Sequence, residues 1–188
     1  MPLPIAHACI GASIATALAP NAYTKPPSRV LIVVAALLAV APDLDFFFVW
    51  VLRMGSGWHR GFAHSIVFAL LVASLVAVGF RAQWKRALPV LCAATVSHCL
   101  LDTLTSRLAP GAELFWPFFS RRYNAGFVDY FDFSIKVRGS LEFSILILKI
   151  SLVEAIIFIP LFLMVRLVVT RVRARRARQV PIEHQQVG

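Results

Sequence analysis

Five apolar stretches, separated by short polar or aromatic breaks, organise the chain. The first, Leu3 to Ala19, is rich in small residues (Gly11, Ala12, Ser13, Ala15, Ala17). Small side chains let helix backbones approach closely in a membrane, although the stretch is short beside the ~20 residues a span needs. The second runs from Val30 to Leu52 and is interrupted by Pro42, which ends or kinks a helix because it lacks an amide hydrogen. The third runs from Phe62 to Phe80. The fourth runs from Ala87 to Ser106, with Pro89 expected in its first turn, where proline is tolerated. The fifth, Leu141 to Val169, is long enough to span with tilt. Turns are expected at Asn21 to Arg29, Gly55-Ser56-Gly57 and the basic loop Arg81 to Arg86. Ala109 to Gly139 breaks the pattern. It mixes Phe115, Trp116, Phe118, Phe119 and Tyr123 with Arg121, Arg122, Asp129 and Asp132, as interfacial segments do. The pattern predicts an all-α, integral membrane bundle of about five helices, with an interfacial loop between helices four and five.

Composition strengthens that picture. The 188 residues are 59% hydrophobic and only 15% charged, against about half and a quarter in soluble domains. Mean hydropathy is +0.77. The net charge of +10 could point to nucleic acid, but six basic residues crowd into Arg166 to Arg178, directly after an apolar helix. A cytoplasmic excess of Lys and Arg beside membrane spans explains that placement, and no nucleic-acid partner is expected. Residues 1–170 read as one membrane-embedded domain, and 171–188 as a basic, disordered cytoplasmic tail. With the tail inside, alternation puts the Lys25–Arg29 and Arg81–Arg86 loops inside too. The three cysteines, Cys9, Cys92 and Cys99, lie in apolar segments and form no metal-type pair. No Walker A, GxGxxG or GxSxG motif appears.

The same topology gathers the chain's acids and imidazoles on one side. His7 lies near the outer end of the first stretch, Asp43 and Asp45 in the outer half of the second, His59 and His64 at the start of the third, and His98 and Asp102 towards the end of the fourth. His184, in the tail, stands apart. Ionisable groups near lipid are costly and mark partners or function. His98-Cys99-Leu100-Leu101-Asp102 is an i,i+4 pair, which sets both side chains on one helix face and can supply two metal ligands or one packing hydrogen bond. If the second helix ends at Pro42, Asp43 and Asp45 can both turn to a common centre. Gly61 frees the backbone beside His59 and Arg60, and Ser65 can cap the third helix. Arg60 is suited to hold an anion bidentately or to anchor at headgroups. His7 alone reads equally as a packing residue. Glu154, deep in the fifth stretch, reads as paired with a neighbour.

These pieces resemble the YdjM-like family of membrane-bound metal-dependent hydrolases of bacterial inner membranes. The matching residues are His7 with Gly11, Ala41-Pro42-Asp43-Leu44-Asp45, His59-Arg60-Gly61-Phe62-Ala63-His64-Ser65, His98-Cys99-Leu100-Leu101-Asp102 and Phe115-Trp116-Pro117-Phe118. Their order is also distantly similar to that of zinc-dependent phospholipase C, although a second His-x-x-x-Asp pair is missing. The resemblance implies a multi-pass inner-membrane protein with a divalent ion, zinc or manganese, and a phosphoester or lipid substrate. On this reading His7, Asp43, His64, His98 and Asp102 are the candidate ligands. Asp45 or His59 would be general base or would orient the ligands, and Arg60 would hold a substrate anion. Two other functions use the same residues: a non-catalytic metal-binding or transport protein, and a polar cluster that only fixes helix packing. The oligomeric state is not legible from sequence.

Overall fold

The computed structural model describes residues 3–19, 28–105, 111–127 and 141–179. The expected turn at Asn21 to Pro27, Asp129, Asp132 and His184 lie outside the described residues. The described residues form five α-helices: α1 (Pro4–Leu18), α2 (Arg29–Leu38), α3 (Ile66–Val78), α4 (Trp84–Thr105) and α5 (Leu141–Gln179). Among the described residues there is no strand, only an isolated bridge between Ala112 and Tyr123. The fold is all-α, as the apolar periodicity predicts.

Two helical stretches, Arg81–Thr105 and Ser144–Arg176, are long and apolar enough to cross a membrane. A third is available if α2 and the following residues to Val49 count as one span bent by 46°. Helices α1 and α3 have 15 and 13 residues, which at about 1.5 Å per residue is less than a ~30 Å hydrocarbon core.

Helix α1 packs on α2, α4 and α5, and α3 packs on α4. The shared core is built largely from alanines, among them Ala15, Ala35, Ala73, Ala77 and Ala94, around Leu38, Val90 and Leu91. Without large side chains between them the helices sit close. Gly11 is the tightest point. A methyl group there would stand 2.6 Å from both Ala35 O and Ala39 Cβ, so only glycine lets α1 reach α2.

Four boundaries differ from the pattern. The second helix stops at Leu38, before Pro42. The chain then continues as a 3₁₀ turn (Ala41–Asp45) and a π turn (Phe47–Val51). Helix α4 begins at Trp84, so Pro89 falls in its second turn and not its first. The third helix starts at Ile66, capped by Ser65, whose hydroxyl accepts from Phe68 N at 3.0 Å. Helix α5 runs on to Gln179, nine residues into the stretch read as tail, because its Arg and Ala residues are strong helix formers.

Helix α1 has no end caps of its own. Leu3 stands at its N-cap position, Pro4 at its first turn, and no basic residue in its last turn. Helix α5 supplies both. Glu154 accepts from Leu3 N at 2.6 Å and from Ala6 N at 3.1 Å, and Arg173 donates to Thr16 O at 2.6 Å. A negative group at the start of α1 and a positive one at its end both complement the helix dipole. The same contacts fix α1 and α5 parallel.

Candidate metal centre

The break in the second apolar stretch builds the first half of the site. After Leu38 the backbone leaves the α-helix, and the 3₁₀ turn through Pro42 buries Asp43 and Asp45 together. The second half comes from the loop before α3. His64 closes a 3₁₀ turn, Phe62–His64, whose amide donates to Gly61 O at 3.0 Å. Arg60 holds a left-handed backbone conformation (φ 62°). That conformation turns its amide onto Asp45 Oδ2 at 3.0 Å. Helix α4 delivers His98 and Asp102 on one face, and α1 delivers His7 one turn in from its start.

Four of these side chains converge. One ligand atom from each of Asp43, His64, His98 and Asp102 lies within 4.8 Å of every other. His64 Nε2 and His98 Nε2 are 3.1 Å apart. From Asp43 Oδ1 the distances are 3.7 Å to His64 and 3.6 Å to His98. From Asp102 Oδ2 they are 3.5 Å and 3.9 Å. Ligands around a tetrahedral zinc at 2.0–2.1 Å stand about 3.3–3.4 Å apart. The cluster therefore has the size of one ion's donor shell.

The histidines are oriented for that task. His98 Nδ1 donates to Ala39 O at 2.7 Å, which leaves the Nε2 lone pair facing the cluster. His64 has an acid at each ring nitrogen, Asp43 beyond Nε2 and Asp45 Oδ2 3.2 Å from Nδ1. The negative surroundings thus draw positive charge to this spot.

Charge and unsatisfied atoms agree. Three buried carboxylates, Asp43, Asp45 and Asp102, face one buried guanidinium, Arg60. With neutral imidazoles the excess is two negative charges, which a divalent ion balances. Asp43 Oδ1 and Asp102 Oδ1 are buried without a hydrogen bond. Buried acceptors without partners are rare and costly. Two imidazoles and two carboxylates suit zinc or manganese, so the residues present fit such an ion.

The other candidates lie around this core. His7 is the one proposed ligand outside the four-atom group. Its ring stacks on His98 at 3.8 Å, and its Nε2 lies 3.5 Å from Asp102 Oδ1. Arg60 does not reach outward to a substrate or headgroups. It is fully buried, and its guanidinium meets Asp102 Oδ2 at 3.1 Å. His59 Nδ1 pairs with Asp45 Oδ1 at 2.8 Å, and its ring stacks on Phe46 at 4.1 Å. With its side chain 18% exposed, His59 is the most accessible of the candidate histidines and acids.

Three contributors carry no sequence signature as site residues: Ala39, through its carbonyl; Glu154, which seats the helix bearing His7; and Arg122. Arg122 donates to Gly57 O at 2.6 Å, to His59 O at 3.3 Å and to Glu113 at 3.2 Å. Glu113 N in turn donates to Arg60 O at 3.0 Å, so the aromatic segment straps down the His59–His64 loop. Beneath the strap, Trp58, Phe62, Trp116 and Glu113 line a cavity of about 420 Å³.

Comparison with known proteins places this geometry. A family profile described as YdjM inner membrane protein matches residues 1–176. The chain belongs to the YdjM inner membrane protein family. The matched residues include every candidate ligand from His7 to Asp102 and the α5 positions Glu154 and Arg173. Over 131 residues the chain is 35% identical to "Inner membrane protein YbcI" of Escherichia coli (strain K12), covering 66% of this chain and 73% of that protein. No solved structure matches. As a YdjM-family member, the chain is an inner-membrane protein.

Proposed function

We propose that this protein is a membrane-embedded metal-dependent hydrolase whose ion is held by Asp43, His64, His98 and Asp102. The observation that carries the reading is the set of donor distances, 3.1–3.9 Å, among four buried side chains with an excess of negative charge. A divalent ion at that point would supply Lewis acidity and lower the pKa of a bound water. His7 buttresses His98 and Asp102. Asp45 orients His59 and His64 together, and His59, on the accessible side, is the group suited to move a proton. The substrate class is a phosphoester or lipid reached from the membrane. The protein is read as multi-pass, with the basic end of α5 cytoplasmic and the site towards the other face.

The test is metal content of the purified protein by mass spectrometry, paired with a panel of phosphoester and phospholipid substrates. Wild type is expected to carry stoichiometric metal and hydrolyse a member of the panel. His98→Ala and Asp102→Ala are expected to lose metal and activity together. Wild type without metal after growth in zinc and manganese would sink the reading.

A non-catalytic metal-binding role is favoured by one observation. All four ligands are buried, with Asp43 the most exposed at 9%. Structural sites are closed by four protein ligands, whereas catalytic sites keep a position open. Stoichiometric metal with no hydrolysis across the panel would favour this second role.

A further inference from the structure

His64 is shared between two clusters. Its Nε2 belongs to the four-ligand group, and its Nδ1 faces a second set in which Asp45, His59 and His64 each offer a ligand atom. In that second set His59 Nδ1 is 2.8 Å from Asp45 Oδ1, and His64 Nδ1 is 3.2 Å from Asp45 Oδ2. His64 is fully buried, yet its Nδ1 makes no aligned hydrogen bond despite that short approach. His64 Nδ1 and Asp45 Oδ2 thus stand as two ligands of one ion would, and the His59–Asp45 hydrogen bond of 2.8 Å is the contact that ion would replace. His59 Nε2 is likewise buried without a hydrogen bond, so the ring is not held from its far side.

We infer that Asp45, His59 and His64 form a second divalent-cation site, joined to the first through the imidazole ring of His64. This deepens the hydrolase reading and rests on it. The two sites differ in kind. The first has four protein ligands, all buried. The second has three, and its outer ligand, His59, is 18% exposed, so a coordination position is left for water or substrate. The open position of the second site would meet the substrate beside the ion of the first. Bridging leaves neither ring nitrogen of His64 protonated, so the second ion binds after the first and more weakly. With an imidazole ring between them, the ions stand farther apart than the roughly 3.5–4 Å of the usual two-metal hydrolases. Each therefore acts on its own partner group, without a shared water.

The experiment is metal stoichiometry of the full chain in detergent, titrated with zinc and, separately, with manganese for electron paramagnetic resonance. Wild type is expected to bind two ions per chain in two steps, with dipolar broadening in the manganese spectrum at full loading. His59→Ala is expected to bind one ion at the affinity of the first step and to give an uncoupled spectrum. His98→Ala is expected to weaken the first step at least tenfold. One ion at saturation in wild type would overturn the second site and leave the first reading standing. Two ions in His59→Ala would move the second ion elsewhere and overturn the assignment. No bound metal at any concentration would overturn both.

Discussion

At the scale of single residues, Arg60 and Gly11 carry the sharpest consequences. Among the described residues Arg60 is the one buried Arg or Lys, against the three buried carboxylates of the cluster, and removing one partner of such a pair costs about 3–5 kcal/mol. Arg60→Met is expected to lower the thermal midpoint in chelator and to recover part of it in excess zinc, because a cation bound only by the native state stabilises it by mass action. Equal loss with and without zinc would count against an electrostatic role. Gly11→Ala drives a methyl group into Ala35 and Ala39, an overpacking that costs about 1–3 kcal/mol. Ala39 is also the residue whose carbonyl fixes His98. The same variant is therefore expected to lower metal occupancy, whereas Ala93→Gly, on a half-buried face of α4, is not. Most of the cluster was legible at this scale. The i,i+4 pair His98 and Asp102 and the loop residue His64 meet as their spacing suggested. Arg60 was not legible, because an arginine next to a glycine turn reads as a surface group until its buried partner is known. A backbone acceptor such as Ala39 leaves no mark in side-chain chemistry.

At the scale of elements, the break after Leu38 decides what the second apolar stretch can do. An unbroken helix would set Asp43 and Asp45 about 200° apart around its axis. The 3₁₀ turn instead brings both to His64. Pro42 announced an interruption, but its place, four residues earlier, depends on the packing of Ala39 beneath α1 and α4. The caps of α1 were legible only as an absence, since neither end carries a suitable residue. Their source in α5 is a contact across more than 140 positions of sequence. Glu154→Gln keeps one acceptor and sets an amide donor against the other of the two backbone N–H groups. It is expected to cost about 1.5–3 kcal/mol, from the loss of a charge-assisted hydrogen bond. Hydrogen exchange should show faster opening of the first turn of α1, which carries His7. Arg173→Ala should loosen the last turn and leave the first protected.

At the scale of the whole molecule, the parallel run of α1 and α5 bears on orientation. If α5 passes from outside to inside, as proposed, α1 does the same, and the candidate metal cluster near the start of α1 lies towards the extracytoplasmic face. A cysteine introduced at Ser120, in the exposed aromatic strap, is expected to react with a membrane-impermeant thiol reagent in intact spheroplasts. One at Gln179 is expected to react only after lysis. The reverse pattern would invert the assigned topology. Number and type of helices were legible in the sequence, because apolar length is a strong signal. Which helices can cross alone was not, since α1 and α3 fall short in length and depend on their neighbours. The clamp on α1 also has a meaning in time. Helix α1 is synthesised before α5 and carries no means of closing its own ends, and the two groups that close them arrive only with α5. Until then the two orphan amides at the start of α1 stay open and His7 is unanchored. A nascent chain interrupted before Leu141 would carry the candidate ligands of the first four helices on an α1 held by neither clamp.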